Sequence, residues 1–133
     1  MIVADTNLFA YLYLRGEQTP LAEAVFLRDP VWAAPLLWRS EFRNILAGLI
    51  HRKSLTLPVA IDLLREAEAW MRGQEYAVVS DHVLDLATRS GCSAYDCEFV
   101  ALAEDLNVKL VTNDRQILKL FPRISVSPID FAV

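Results

Sequence analysis

The residues of this chain best placed to do chemistry are four acids, Asp5, Glu41, Asp96 and Asp114. Each falls just past a stretch that reads as a parallel β-strand, or at the start of the helix that follows one. Open α/β sheets bind ligands outside the carboxyl ends of their strands, so acids far apart in sequence would converge on one crevice. Carboxylates gathered there repel one another and stay protonated unless cations neutralise them. The chemistry this pattern suits best is the binding of a divalent metal ion.

Weighed singly, the acids differ. Asp5 ends the apolar run Ile2-Val3-Ala4. It could cap the next helix, but Thr6 or Asn7 could do so equally well, and a carboxylate at a buried strand end needs a cation or several donors. A functional role is favoured, with Thr6 and Asn7 behind it to hold the carboxylate or a bound water. Glu41 borders the apolar stripe of Trp38, Phe42, Ile45 and Leu49, while Arg39 and Arg43 point nearly the opposite way. A solvated flanking acid and a site acid fit Glu41 equally. Asp96 has a structural explanation, because Ser93-Ala94-Tyr95-Asp96 is an S-x-x-D capping box. Glu98 is the other acid this helix could offer, but at about 200° around the helix the two cannot easily face one site. Asp114 follows Val111-Thr112-Asn113, and Asn-Asp is also an ordinary turn and capping pair. Convergence lifts the set, since the strand-end rule brings Asp5, Asp96 and Asp114 to one sheet edge and Glu41 onto a helix leaving it.

The elements that must position these acids alternate between strand and helix. Met1 to Ala4 read as a strand, followed by a helix through Leu8 to Leu14 that Thr6 or Asn7 can cap. Thr19 before Pro20 predicts an N-cap, with the helix stopping before Pro30. Val31 to Ala34 supply a second strand, and Pro35 opens a long helix to about Arg52. Thr56 caps the next helix, which Gly73 ends. Tyr76 to Val79 make a third strand, Ser80 caps a helix closed by Gly91, and Ser93 starts another. Lys109 to Thr112, a small helix over Arg115 to Phe121, and a strand at Ile124 to Val126 complete the pattern. Continuous apolar strands alternating with helices specify a parallel sheet covered on both faces.

The totals bound the function. A chain of 133 residues, 54% hydrophobic, is expected to be a single domain, 1–133, with a well-buried core. No apolar run approaches the ~20 residues that cross a bilayer, and MIVADTN lacks a basic n-region, so a cytoplasmic protein with no membrane contact is expected. Cys92 and Cys97 would lie roughly 7.5 Å apart along a helix, too far for an undistorted disulfide. His51 and His82 have no ligand spacing with each other or with the cysteines, which argues against zinc. A net charge of −4 argues against a passive basic nucleic-acid binder, but not against a nuclease whose acids are neutralised by metal. Arg39, Arg43, Arg52, Lys53 and Arg115 are candidates for phosphate contacts, Arg115 first because it adjoins Asp114. A mean hydropathy of +0.28 suggests apolar surface covered by another subunit. The helix with Leu8, Phe9, Tyr11, Leu12 and Tyr13, and a second surface beginning at Trp38 and Phe42, are the expected places.

Val-Ala-Asp-Thr-Asn near the start, Ser-Glu in the early helix, Tyr-Asp-Cys-Glu-Phe-Val-Ala-Leu-Ala-Glu later, and Leu-Val-Thr-Asn-Asp resemble the motifs of PIN-domain ribonucleases. In order and spacing they are most similar to the VapC-like toxins of toxin–antitoxin modules, over the whole chain. The resemblance implies a PIN-like three-layer α/β/α fold with a central parallel sheet of four to five strands. It implies that Asp5, Glu41, Asp96 and Asp114 form an acidic cluster for Mg²⁺ or Mn²⁺, supported by Thr6, Asn7 and Thr112. It further implies an endoribonuclease that hydrolyses RNA through metal-activated water, a small antitoxin protein as partner, and a homodimer. Mg²⁺ prefers hard oxygen ligands and keeps several waters, so a few carboxylates suffice.

Other readings share some of these features. A phosphoacceptor receiver-like domain needs a pair of acids after its first strand and an Asp after its third, where this chain has a single Asp5 and Val79-Ser80. An Asp-x-Asp phosphatase fails because Asn7 stands where the second acid would be. A catalytically silent module that only binds a protein partner is disfavoured by the presence of all four acids.

Overall fold

A computed structural model describes residues 1–133. Its centre is a five-stranded, all-parallel sheet of β1 (Ile2–Ala4), β2 (Trp32–Pro35), β3 (Glu75–Tyr76), β4 (Leu110–Val111) and β5 (Ser125–Val126), in the order β3-β2-β1-β4-β5. Val3 of the central strand pairs with Ala33 on one side and Leu110 on the other. Every residue of β1 and β2 is buried, which is why neither strand shows polar alternation.

The helices are α1 (Thr6–Tyr13), α2 (Thr19–Arg28), α3 (Leu37–His51), α4 (Leu57–Trp70), α5 (Ser80–Ser90), α6 (Ala94–Leu106), α7 (Arg115–Leu120) and α8 (Pro128–Ala132). α1 packs on α2, α3 and α4, and α8 packs on α2; α6 lies against β1, β2 and β4, with α5 beside it. The result is the three-layer α/β/α arrangement. Phe9 stacks on Trp38 with centroids 5.0 Å apart and meets Trp32 edge-on at 5.5 Å, and Trp70 joins the same aromatic cluster. Trp38 and Phe42 are therefore fully buried core residues, which corrects their assignment to an intersubunit surface. The apolar circumference of α1 has a related explanation, because three helices pack around it, burying Leu8 and Phe9 and partly burying Tyr11, Leu12 and Tyr13.

Several boundaries differ from expectation for local reasons. β3 is Glu75–Tyr76 instead of Tyr76–Val79, because its ladder ends where β2 ends: Ala34 and Leu36 donate to Gln74 and Tyr76, and no strand lies beyond Pro35 to receive more. Pro35 closes β2 instead of opening α3. Thr19 is not a cap but the buried first residue of α2, its hydroxyl donating to the Tyr11 carbonyl at 2.7 Å and tying the α1–α2 connection together. Ser80 likewise begins α5 without a capping bond. Thr56 and Ser93 do cap α4 and α6, and Gly91 ends α5 at φ +76°, where glycine avoids the Cβ penalty. α8 was not foreseen, although Ser127-Pro128 carries its signal: Ser127 accepts from the Asp130 amide at 3.2 Å with proline at the first turn.

Candidate functional site

β1 delivers Asp5 to the site. The Asp5 amide donates to the Val111 carbonyl at 3.1 Å, extending the β1–β4 ladder by one residue and placing Asp5 beside Thr112. Asp5 is itself the N-cap of α1, accepting from the Asn7 amide at 3.3 Å, so neither Thr6 nor Asn7 has that role. Its other carboxylate oxygen accepts from the Thr112 hydroxyl at 2.5 Å. Burial pushes the Asp5 pKa up, against the lowering effect of Thr112 and Asn7, and the nearby charge of Asp114 pushes in the same direction as burial.

Thr112 serves two acids, since its hydroxyl also accepts from the Asp114 amide at 3.0 Å. Asp114 caps α7 through a 2.9 Å bond from the Ile117 amide. Thr6, freed from capping, is buried and donates to Glu41 Oε1 at 2.7 Å across the α1–α3 contact. Burial raises the Glu41 pKa, the Thr6 bond opposes it, and the charges of Asp5, Asp96 and Glu98 add to the rise. At Asp96 the capping bond belongs to the backbone, its amide donating to Ser93 Oγ at 3.1 Å. The Asp96 carboxyl is raised by burial first and then by Asp114, a Ser93 side-chain bond opposes the rise, and Asp5 adds to it.

All four acids line one cavity of about 240 Å³, with Asn7, Thr112 and Asn113 beside them and Phe99, Leu110 and Ile117 as apolar wall. No Lys, Arg or His lines it. A neighbouring cavity of about 520 Å³ shares Asp5, Asn7, Glu41 and Asp96. Ser40, Asn44 and Asn113 escaped the sequence reading. The first two had a signal, because positions 37, 40, 41 and 44 recur on one helical face with Glu41.

The donor set suits a hard cation, being carboxylates with amide and hydroxyl oxygens and no soft ligand. The acids share a wall without closing on a point, and no group of three forms a ligand set as they stand. Thr6 and Thr112 hold Glu41 and Asp5 individually. A cation that keeps several of its own waters needs only one or two direct carboxylates, so this spacing remains compatible with Mg²⁺.

The arginines of α3 belong elsewhere. Arg39 makes a fork with Glu75 at 2.5 and 2.7 Å and reaches Glu68 at 3.6 Å, and Arg43 reaches Glu68 at 3.9 Å. These pairs follow from the helical spacing that turns both arginines away from Glu41, and neither arginine lines the cavities of the acids. Arg115 is exposed at the start of α7, next to Asp114 but outside the cavity lining. Glu98 lines a separate cavity with Val78, Ser80, Val83 and Leu84. His82 pairs with Asp105 at 3.0 Å and Glu104 at 3.4 Å. Cys92 and Cys97 are free and buried.

Two comparisons bear on this arrangement. The family model described as PIN domain matches residues 2–124, from β1 past the last acid. Ribonuclease VapC3 of Pyrobaculum aerophilum is 30% identical to this chain over 126 residues, covering 92% of this chain and 96% of that protein. With a parallel sheet whose strand-end acids Asp5 and Asp114 share one cavity with Glu41 and Asp96, this chain belongs to the PIN domain family as a VapC-like member.

Proposed function

We propose that this chain is a Mg²⁺- or Mn²⁺-dependent endoribonuclease and the toxin of a toxin–antitoxin module. The observation that carries the reading is the single cavity walled by Asp5, Glu41, Asp96 and Asp114. The similarity to a ribonuclease over nearly the whole chain supports it. Three of these acids have raised pKa values and no cationic side chain beside them, the condition a bound metal ion would relieve.

In this reading the four acids hold the cation, while Thr112 orients Asp5 and Thr6 orients Glu41. Asn7 lies on the wall of both cavities, where its amide can hold a water or a phosphate oxygen. Arg115, at the rim, contacts a flanking phosphate. A bound divalent ion supplies Lewis-acid chemistry, neutralising the scissile phosphate and acidifying the attacking water. Water adds to phosphorus, the bond to the 3′ oxygen breaks, and a 5′-phosphate and a 3′-hydroxyl remain.

The test is incubation of the purified, partner-free chain with single-stranded RNA. Cleavage is expected in Mg²⁺ or Mn²⁺, arrest in EDTA, and a loss of at least about a hundredfold on Asp5→Asn or Asp114→Asn. Undiminished cutting in EDTA would sink the metal-dependent reading.

The proposal extends to partners and place: a small antitoxin protein that silences the site, a homodimer, and action on RNA in the cytoplasm. No helix is long and apolar enough to cross a membrane. The apolar groove between α3 and α4, lined by Leu46, Ala47, Ile50, Leu57, Ile61 and Leu64, supports an associating surface.

A further inference from the structure

The cavity beside the acid cluster differs from it in kind. Beyond the shared residues, Ser40 and Asn44 contribute uncharged hydrogen-bonding groups, and Leu37 and Ile45 contribute apolar surface. Tyr95, in the first turn of α6, stands at its edge with 65% of its surface exposed. Neither cavity is lined by Lys, Arg or His. Away from the acids that the two cavities share, the larger one holds no Lys or Arg to pair with a phosphate, so that part of it suits an uncharged group. An uncharged planar ring would meet a free aromatic face and side chains able to pair with its edge.

We propose that this cavity is a nucleobase subsite, in which an unpaired base of the nucleotide next to the scissile phosphate stacks on Tyr95 and is read along its edge by Asn44 and Ser40. The inference rests on the ribonuclease reading and adds to it a specificity-determining surface. Asn44 carries both a donor and an acceptor, so it can choose among base edges, whereas Tyr95 accepts any π-face. The base must leave a helix to enter, so the substrate class is single-stranded or looped RNA.

The test has two arms. Oligoribonucleotides carrying 2-aminopurine on either side of the cleavage point are mixed in Mg²⁺ with Asp114→Asn protein, which holds them uncut. Stacking on Tyr95 should quench the emission, and the added Tyr95→Ala change should abolish the quench. In cleavage assays Tyr95→Ala should raise KM about tenfold and move kcat less, while Tyr95→Phe, which keeps the ring, should recover most of that loss. Asn44→Ala should redistribute cleavage among bases in random-sequence RNA. Because Tyr95 is exposed, unchanged melting curves will show that the variants fold. A quench that survives Tyr95→Ala, or an unchanged KM, overturns the subsite and leaves the ribonuclease reading standing. A wild-type chain that cuts no RNA overturns the ribonuclease reading and, with no cleavage point to flank, the subsite with it.

Discussion

Asp96 shows how one residue's placement separates folding from chemistry. The half of a capping box that starts α6 is present, the Asp96 amide donating to Ser93 Oγ. The carboxylate also lines the cavity, where burial and the charges of Asp114 and Asp5 raise its pKa against the lowering effect of a Ser93 bond. An acid whose folded pKa exceeds its unfolded value contributes stability fully present below the unfolded value and lost as pH rises through the folded one. Above its ordinary value of 3.8, ionised Asp96 therefore works against the metal-free fold. Asp96→Asn should melt no lower than the parent in EDTA at neutral pH, with the difference in its favour shrinking on acidification, while RNA cleavage is abolished. Thermal melts from pH 4 to 8, run beside an activity assay, will check this. A variant that melts lower yet still cuts would make Asp96 a structural residue and leave Glu98 as the acid from α6.

At the scale of elements, α3 presents Glu41 and is fixed to the sheet edge by one cluster. Glu75 on β3 accepts from the Arg39 fork and from buried Trp38 Nε1 at 2.7 Å, and these bonds, that of Arg39 first, hold its pKa below the usual carboxylate value against the raising effect of burial. A lowered folded pKa contributes stability present above the ordinary value of 4.5 and lost as pH falls through the folded one. Glu75→Gln should thus cost about 1–3 kcal/mol at pH 7, with the loss fading in acid below 4.5, as urea unfolding at a series of pH values will show. A pH-independent loss would contradict this account. Glu75 was invisible in the sequence because Gly73-Gln74-Glu75 has the composition of a turn, and its partner Arg39 lies 36 residues away. The strands were legible where local apolar runs decide them, as in Ile2–Ala4, and misplaced where a neighbouring strand decides, as at β3. Asp5 and Asp114 were legible because strand-end position is a property of the topology, whereas Asp96 follows α5 and not a strand, and Glu41 lies within α3, so the strand-end rule does not reach them. Whether Asp5, Thr6 or Asn7 would cap α1 was not legible, because all three have capping side chains and only the β1–β4 register chooses.

For the whole molecule, hydropathy and charge point in separate directions. The apolar surplus of the sequence is absorbed largely by the aromatic core that α1 and α3 share, yet Leu57, Val59 and Ile61 of α4 remain exposed. If these surfaces support self-association and antitoxin capture, light scattering should give a dimer mass for the isolated chain. Co-expression with the adjacent open reading frame should yield a stable complex. A monomer at high concentration that captures no such protein would refute both partners without touching the nuclease. Asp5, Glu41, Asp96 and Asp114 line the cavity with no cationic side chain among them, so on the proposed reading a cation precedes or accompanies the substrate. The most direct measurement is therefore cleavage of a defined single-stranded RNA while Mn²⁺ is titrated into metal-free protein, with the product ends mapped. The account predicts no cutting without the ion, saturable onset with it, 5′-phosphate ends, and no onset in Asp5→Asn. Cleavage that is independent of Mn²⁺, or that persists in Asp5→Asn, would contradict it.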